Sequence, residues 1–485
     1  MMGLIFLAFI GFALLLGVRR PFLWVLLYVY IDILAPQRIG FGLIESLQIS
    51  MIAFLAAFGG YIVLDKKEHI SFSWRQGLLL ALLGYCFWTT GNADFPASAE
   101  TKWEWVWKAL LFAIFLPFTL TTRARLEALA LTLVLTIGMI VISTGMKVTL
   151  GGGGYGNLVF FVDDNSGIYE SSTLATVAIA LTPLIWWFTR FGTIYKPHWT
   201  VSLFAVALIF ACLLIPIGTE ARTGLLCIAA LGVLMLRYTS KRLAFIVGAA
   251  SLGLAALPFL PQSYYDRMAT IAEPGGDESA STRVAVWKWT LDYVSQNPFG
   301  GGFDSYKGNS FTYEMPVTEE SGNTTTIERR KVTDKARAFH SSVFEVLGEQ
   351  GWPGLIIWLS LHGLGLLQME RIGARWRKRE KAGDLAEDEA WIAPMATALQ
   401  LASLIYLVGA LFQGIAYQPV MLMIIGLQIG LNSYCQRIDS ARARQALDER
   451  RENRPNGGRG GAKARSGKAA SPSSPDPSSP DAVTA

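Results

Sequence analysis

Apolar runs of about 15–25 residues recur along the chain, and short polar segments rich in Lys and Arg separate them. A helix of that length, rising 1.5 Å per residue, matches a hydrocarbon core of ~30 Å. A transmembrane β-barrel would instead alternate apolar and polar positions. The pattern therefore predicts an all-α polytopic membrane protein with about 12–13 transmembrane helices.

The predicted spans cover residues 2–17, 21–36, 43–64, 77–90, 108–121, 126–148, 170–189, 200–217, 223–238, 242–260, 353–369, 392–410 and 413–433. The first run lacks a charged leader and a small-residue cleavage site, so we interpret it as a retained span. This divides the chain into a helical region at 1–260, a large loop with short helices at 261–352, and a last group of spans at 353–436. A tail, residues 437–485, follows.

The basic loops predict the orientation. Lys and Arg concentrate at 19–20, 66–75, 123–125, 190–196, 237–242, 371–381 and in the tail. With thirteen spans these segments share one side, which is cytoplasmic by the positive-inside rule. The opposite side then holds the loops 91–107, 149–169, 218–222 and 261–352. The tail becomes rich in Gly, Ser and Pro, which predicts a disordered cytoplasmic extension with weak attraction to anionic membrane lipid.

Composition supports the membrane assignment and excludes other classes. Of the 485 residues 52% are hydrophobic and only 16% are charged, with a mean hydropathy of +0.37. The net charge of +5 resides in short loops and the tail, so it does not indicate a nucleic-acid partner. The four cysteines lie in or beside apolar runs, and the large loop has none. The loop therefore needs no disulfide framework.

The segment 337–354, RAFHSSVFEVLGEQGWPG, joins the large loop to an apolar run and carries His340. Ser341, Glu345 and Glu349 follow at spacings that place them on one face of a short helix. Gly351 can end that helix, and Pro353 suits the first turn of the next one. We interpret His340 as a titratable imidazole beside a site for an anionic lipid-linked substrate. A structural histidine and salt-bridged carboxylates are the alternative.

Two arginines are candidates for binding an anion. Arg222 lies in a very short turn between apolar runs, where an unpartnered cation is costly, so it needs Glu220 or an anionic ligand. Arg283 shares one side of a predicted helix with Trp287 and Thr290. A solvated helix face is the alternative for Arg283. Arginine suits phosphate because its planar fork offers paired donors and stays charged.

Other segments have less specific patterns. Residues 305–335 are polar, and we predict that they are irregular. Trp103, Trp105 and Trp107 are typical of an interfacial aromatic belt. The glycine-rich sequence after residue 150 predicts a flexible loop. Phosphate binding by its backbone N–H groups is the alternative. The segment lacks the Lys-Ser/Thr of a P-loop. No two histidines have metal-ligand spacing, so we predict no metal site and no cofactor.

Three motifs together resemble the O-antigen ligase/polymerase superfamily. They are GTEARTG around Arg222, STRVAVWKWTLDYVSQNPFGGGF around Arg283, and AFHSSVFEVLGEQGWPGL around His340. The last motif is most similar to the probable O-glycosylation ligases associated with the exosortase A system. The chain departs from the common family pattern at Ala221, where Ser is frequent, and at Ser341, where Asn is frequent.

The resemblance implies a GT-C-like glycosyltransferase in the bacterial inner membrane, with its active site facing the periplasm. The implied donor is a glycan on undecaprenyl diphosphate, and the acceptor is a hydroxyl on lipid, protein or a growing glycan. The family pattern assigns the diphosphate to Arg222 and Arg283 and activation of the acceptor to His340. Asp164 and Asn165 resemble a further family loop.

The chemistry agrees with this assignment. A transfer outside the cytoplasm has no ATP, so it needs a pre-activated donor such as a lipid diphosphate. Two arginines would neutralise the leaving group, and an imidazole would take the proton of the acceptor hydroxyl. The predicted further substrate-binding residues are Glu349, Trp287, Asp164 and Asn165. The alternatives are a polymerase of repeat units, a transporter of lipid-linked sugars, and a scaffold without catalysis.

Overall fold

The computed structural model describes residues 2–39, 43–67, 70–151, 167–260, 262, 264–265, 278–321 and 324–452. The chain divides into a unit of residues 1–436 and a unit of residues 437–485. The helices α1 to α16 cover Met2–Arg19, Phe22–Leu34, Pro36–Ile39, Leu43–Ser46, Ile49–Val63, Trp74–Gly91, Pro96–Thr119, Arg123–Gly151, Ser171–Phe191, Trp199–Gly218, Arg222–Leu236, Arg242–Ala256, Glu278–Gln296, Ser342–Lys381, Ile392–Ala410 and Pro419–Glu452.

Every one of the thirteen predicted spans overlaps a helix of the structure. Among the described residues, five helical segments are long and apolar enough to cross a membrane: Arg123–Lys147, Ser171–Phe191, Trp199–Gly218, Ser342–Lys381 and Glu387–Ala410. Further apolar helices, such as Phe22–Leu34 and Ile49–Val63, are shorter. The protein is thus an all-α polytopic membrane protein, as predicted.

Helix α9 (Ser171–Phe191) is the core of the first unit. It packs against α8, α10, α11 and α15, and 89% of its apolar window is buried. In contrast, α1 and α12 leave large apolar side chains such as Leu15 and Leu243 exposed. Apolar surface of this extent on a helix is compatible with lipid rather than water.

The break predicted at Gly351 is confirmed. Gly351 has φ +61° and ψ −164°, which interrupts the helical geometry of α14 (Ser342–Lys381). A β-carbon at this position would lie 2.2 Å from the carbonyl oxygen of Pro298, so only glycine fits there. The backbone at Gly351 therefore packs directly on the Asn297-Pro298 turn that follows α13.

The prediction that residues 305–335 are irregular was wrong. A 3₁₀ turn covers Ser305–Gly308, and an antiparallel hairpin of β1 (Ser310–Ser321) and β2 (Thr324–Lys335) follows. Its register pairs Thr312 with Thr333, whose hydroxyls lie 2.9 Å apart. The β-branched residues of both runs and the Gly-Asn pair between them are typical of a hairpin. The charged residues of this segment obscure that pattern in the sequence.

Two other boundaries also differ from the prediction. Residues 96–107, expected in a loop, form the first half of α7 (Pro96–Thr119), with proline at its favoured first position. In the second unit, residues 437–452 are helical, although we predicted a disordered tail from residue 437. That stretch is rich in Ala, Arg, Gln and Glu, which are strong helix formers. Residues 453–485 lie outside the described part of the chain.

Candidate active site

A cavity of about 1050 Å³ lies where several helix ends and loops of the first unit meet. Arg222, Arg283 and His340, which are far apart in sequence, all line it. Their segments come from the start of α11 (Arg222–Leu236), from α13 (Glu278–Gln296) and from the residues before α14. The structure therefore brings the three predicted catalytic residues to one cavity.

The turn before α11 places Arg222 at the cavity. Helix α10 ends at Gly218, and Glu220 takes a left-handed conformation with φ +50°. Gly224 packs so closely on Pro216 that a β-carbon there would lie 2.6 Å from its ring. Arg222 is the first residue of α11, where the helix dipole disfavours a cation. Helix stability therefore does not explain an arginine at this position. A bound anion would explain it, because the anion would stabilise the cation there.

His340 is held by contacts to the chain on either side. The residue before it, Phe339, is buried, and its carbonyl accepts a hydrogen bond of 2.9 Å from the indole N–H of Trp287. Trp287 stacks on Phe344 with ring centroids 5.0 Å apart. His340 itself has φ +47°, and Ser341 occupies the N-cap position of α14 without a capping hydrogen bond from its side chain. These contacts fix the backbone that presents the imidazole to the cavity.

Trp287 thus takes a place different from the substrate contact that we predicted. Trp287 does not line the cavity. Its ring stacks on Phe344, and its indole N–H donates to the carbonyl oxygen of Phe339. The geometry favours a positioning role for Trp287. Asp164 and Asn165, the other predicted binding pair, lie outside the described residues.

Unusual backbone conformations concentrate around the cavity. In the described part of the chain, five non-glycine residues have positive φ, and Ala35, Glu220, Asp304 and His340 among them line the cavity. Each such conformation costs on the order of 1–3 kcal/mol and persists only where the surrounding structure imposes it. Such residues cluster at functional sites, so this distribution marks the cavity as the candidate active site.

The cavity lowers the pKa of His340. The main cause is partial burial, which disfavours the charged imidazolium, and the guanidinium of Arg283 adds to the effect. Arg337 acts in the same direction, whereas the carboxylate of Glu170 opposes it. His340 faces the open cavity and is therefore accessible to a ligand. A neutral imidazole that a ligand can reach is suited to accept a proton.

Glu345 and Glu349, the carboxylates predicted near His340, form a buried ion cluster. Lys102 on α7 lies 2.7 Å from a carboxylate oxygen of each, and the exposed side-chain fractions are 14%, 8% and 0% for the lysine and the two glutamates. Glu349 also accepts the backbone N–H of Asp304, and Glu345 accepts that of Ala416. The alternative of salt-bridged carboxylates therefore describes both glutamates, although both also line the cavity.

We expect Lys102→Met to destabilise the protein strongly, because it leaves two buried carboxylates beside each other without a cation. Breaking a buried ion pair from one side typically costs about 3–5 kcal/mol. The measurement is the thermal unfolding midpoint of the purified protein in nanodiscs. Lys288→Met, at an exposed position outside the cavity, is the matched control. Equal midpoints for Lys102→Met and wild type would contradict the structural role of the cluster.

Sequence reasoning missed several cavity residues. Lys102 lies in the segment interpreted as an aromatic belt, Lys108 is the first residue of the predicted span 108–121, and Arg38 lies in a short connection. Glu170 caps α9 by accepting the backbone N–H groups of Ser172 and Thr173. The charged residues before predicted spans were the available signal. Among the described residues, no group of three or more His, Cys, Asp or Glu side chains could hold a metal ion.

Comparisons with known families agree with this geometry. Residues 204–359 match a family model described as O-Antigen ligase, and this segment contains Arg222, Arg283 and His340. Residues 1–193 match a model described as a family of unknown function. A comparison with curated proteins gave no match. Residues 204–359 of this multi-pass membrane protein are thus similar to the O-antigen ligase family.

Proposed function

We propose that this protein transfers a glycan from a lipid diphosphate, such as undecaprenyl diphosphate, to an acceptor hydroxyl. The observation that carries the proposal is that Arg222, Arg283 and His340 line one cavity and that all three lie in the segment that matches the O-antigen ligase family. Two guanidinium groups and an imidazole are the groups that this reaction requires. The roles of these residues and the identity of the donor are part of the proposal.

The position of the cavity supports a reaction on the periplasmic face of the inner membrane. Its lining comes from residues 32–38, 101–108, 167–173, 219–223, 304–306, 338–349 and 412–420, together with Ser50 and Arg283. By the orientation predicted from the basic loops, these segments lie at or near the outer ends of the spans. A lipid-linked donor could thus enter from the outer leaflet.

The proposed reaction is a single displacement. The imidazole of His340 accepts the proton of the acceptor hydroxyl as the hydroxyl oxygen bonds to the anomeric carbon of the donor glycan. The bond between that carbon and the phosphate oxygen breaks, and its electron pair leaves with the diphosphate. Arg222 and Arg283 stabilise the negative charge that grows on the leaving group. Attack opposite the leaving group inverts the anomeric centre.

The acceptor class is a finer part of the proposal. The motif AFHSSVFEVLGEQGWPGL resembles the exosortase-associated O-glycosylation ligases, and this resemblance favours a protein hydroxyl over a lipid or a growing glycan. A repeat-unit polymerase would use the same donor chemistry and differ in its acceptor. The acceptor that receives the glycan in the assay below distinguishes these two enzymes.

The test is transfer by purified protein in nanodiscs, with a radiolabelled undecaprenyl-diphosphate glycan as the donor. A peptide, a lipid A core and the glycan itself are supplied as separate acceptors. We expect label to move to one of them with release of undecaprenyl diphosphate. If no acceptor is labelled but the donor moves across the membrane of sealed vesicles, the protein is a transporter and the proposal is wrong.

The lowered pKa of His340 predicts the pH dependence of the transfer. The imidazole loses its proton at a lower pH than free histidine, whose pKa is about 6.5. The base form is present above the pKa, so activity should fall only as the pH drops below about 6.5. The profile of kcat/KM against pH reports the free enzyme and is the appropriate measurement. An acidic limb with a midpoint above 6.5 would contradict this assignment of the base.

A further inference from the structure

Part of the cavity lining comes from residues 1–193, which precede the segment that matches the O-antigen ligase family. Thr101, Trp105 and Lys108 lie at spacings of four and three residues on α7, so they share one face of that helix. Asp32 at the end of α2 and Arg38 in α3 (Pro36–Ile39) also line the cavity. The transfer step proposed above uses none of these five residues, so their presence in the cavity needs another explanation.

Trp105 differs from its neighbours in the segment that we interpreted as an aromatic belt. Trp103 stacks on Phe303 and Trp107 contacts Phe54 edge-on. Trp105 lines the cavity with 39% of its surface exposed, and it contacts no other aromatic ring within the described residues. A sugar ring presents C–H groups on one face, and these pack well on an indole that has an apolar face and a polar edge.

Two cations share the cavity with this indole. Lys108 follows Trp105 by three residues on the same helix. Arg38 lines the cavity near Gly167, where a β-carbon would be 3.9 Å from the arginine's Nη1 atom. Asp32 attracts Lys108, but no ion pair within 4.0 Å joins them in the described part of the chain. Lys108 is therefore available to an anionic group of a ligand.

The same part of the lining holds an acceptor that has no donor. Gln37 Oε1 is buried and accepts no hydrogen bond from a described residue, whereas the carboxylate of Asp32 has the Tyr28 hydroxyl beside it. Gln37 and Asp32 both line the cavity. A buried acceptor without a donor is unfavourable, and a ligand that supplies hydroxyl groups would relieve this cost. The combination of an indole face, two cations and an unfilled acceptor is suited to a sugar that carries an acidic group.

We propose that Trp105, Lys108, Arg38 and Gln37 form a glycan subsite that takes an acidic sugar, with the ring on Trp105 and the acidic group toward Lys108 and Arg38. This inference rests on the proposed function, because it places a sugar in the cavity where transfer would occur. The acidic sugar belongs either to the donor glycan or to the acceptor. The residues that match a family of unknown function thus supply sugar recognition to the segment that matches the O-antigen ligase family.

Binding of two soluble probes tests the subsite without any transfer. The probes are trigalacturonate and its carboxyl-reduced form, trigalactose, titrated calorimetrically into the full chain in nanodiscs. We expect wild type to bind trigalacturonate at least tenfold more tightly than trigalactose. Lys108→Gln and Arg38→Gln should each remove about tenfold of the affinity for trigalacturonate and leave that for trigalactose unchanged. Trp105→Leu should weaken both.

Matched controls separate the subsite from general effects. Lys288→Gln and Trp74→Leu alter exposed residues outside the cavity and should bind as wild type does. Each variant is first shown to have the wild-type unfolding midpoint. Equal affinity for both probes, absence of trigalacturonate binding, or unchanged binding by the three subsite variants would overturn the proposal.

The two proposals can fail separately. His340→Asn should bind trigalacturonate as wild type does, since it alters only the proposed base. If wild type discriminates between the probes but transfers no glycan, the subsite stands and the proposed function falls. If wild type transfers glycan but binds both probes equally, the proposed function stands and the subsite falls. In the transfer assay, Lys108→Gln should raise the KM of the donor if the donor glycan occupies the subsite, and that of the acceptor otherwise.

Discussion

His340→Asn is expected to abolish glycan transfer while the protein stays folded in the membrane. Asparagine tolerates the left-handed backbone conformation that His340 adopts at φ +47°, so the substitution removes the imidazole with little strain. Its amide cannot accept a proton near neutral pH. General base catalysis typically contributes ~10²–10⁴-fold, and kcat should fall by that order. The measurement is labelled transfer with both substrates saturating.

His198→Asn is the matched control. His198 is exposed at the start of α10 and accepts the backbone N–H of Thr200, a capping role that asparagine also fills. We expect this variant to transfer glycan at the wild-type rate. Normal product from His340→Asn, with His198→Asn also active, would remove His340 from the mechanism.

Arg222→Lys should also be severely impaired, although it preserves the charge. Arginine presents a rigid fork of donors that matches phosphate, whereas lysine offers a single ammonium group. Loss of one preorganised donor to a developing anion typically costs roughly 10²–10³-fold. Because the contact strengthens as the leaving group gains charge, kcat should fall rather than only the KM of the donor rise. Steady-state kinetics with a varied donor concentration separate these two effects.

Arg237→Lys provides the control from the opposite end of the same helix. Arg237 follows α11 and is largely exposed. Its Nη2 atom lies 2.8 Å from Oε1 of Glu370. Exposed ion pairs of this kind contribute about 0–1 kcal/mol, so this variant should be fully active. Full activity in Arg222→Lys would instead assign Arg222 to the structure of its turn, with Glu220 as the neighbouring carboxylate.

The helical architecture could be predicted from local patterns. Apolar runs of membrane-spanning length predicted helices that the structure confirms, and Gly351 together with Pro353 predicted the break in α14. The hairpin at 310–335 was missed, because its strands carry charges on short alternating runs and pair only with each other. Such a two-stranded element leaves a much weaker signal than an apolar helix.

The charged site could be predicted only in part. Arg222, Arg283 and His340 were identified from their motifs, but sequence could not show which side chains oppose them. Lys102 pairs with Glu345 and Glu349 across more than two hundred residues, so no local spacing reveals the cluster. Whether Trp287 contacts a substrate likewise depends on the direction in which its side chain points from α13. Its packing on Phe344 sets that direction.

The sequence by itself determined that this chain lies in a membrane and which apolar runs form helices, and its motifs singled out three candidate side chains. Hydrophobicity and backbone preferences act over a few residues, so they can be interpreted from neighbours along the chain. Only the tertiary structure decided that α7 and α3 turn Trp105, Lys108 and Arg38 into the same cavity as His340. Side chains distant in sequence meet through packing of whole helices, and that packing is set by many contacts at once.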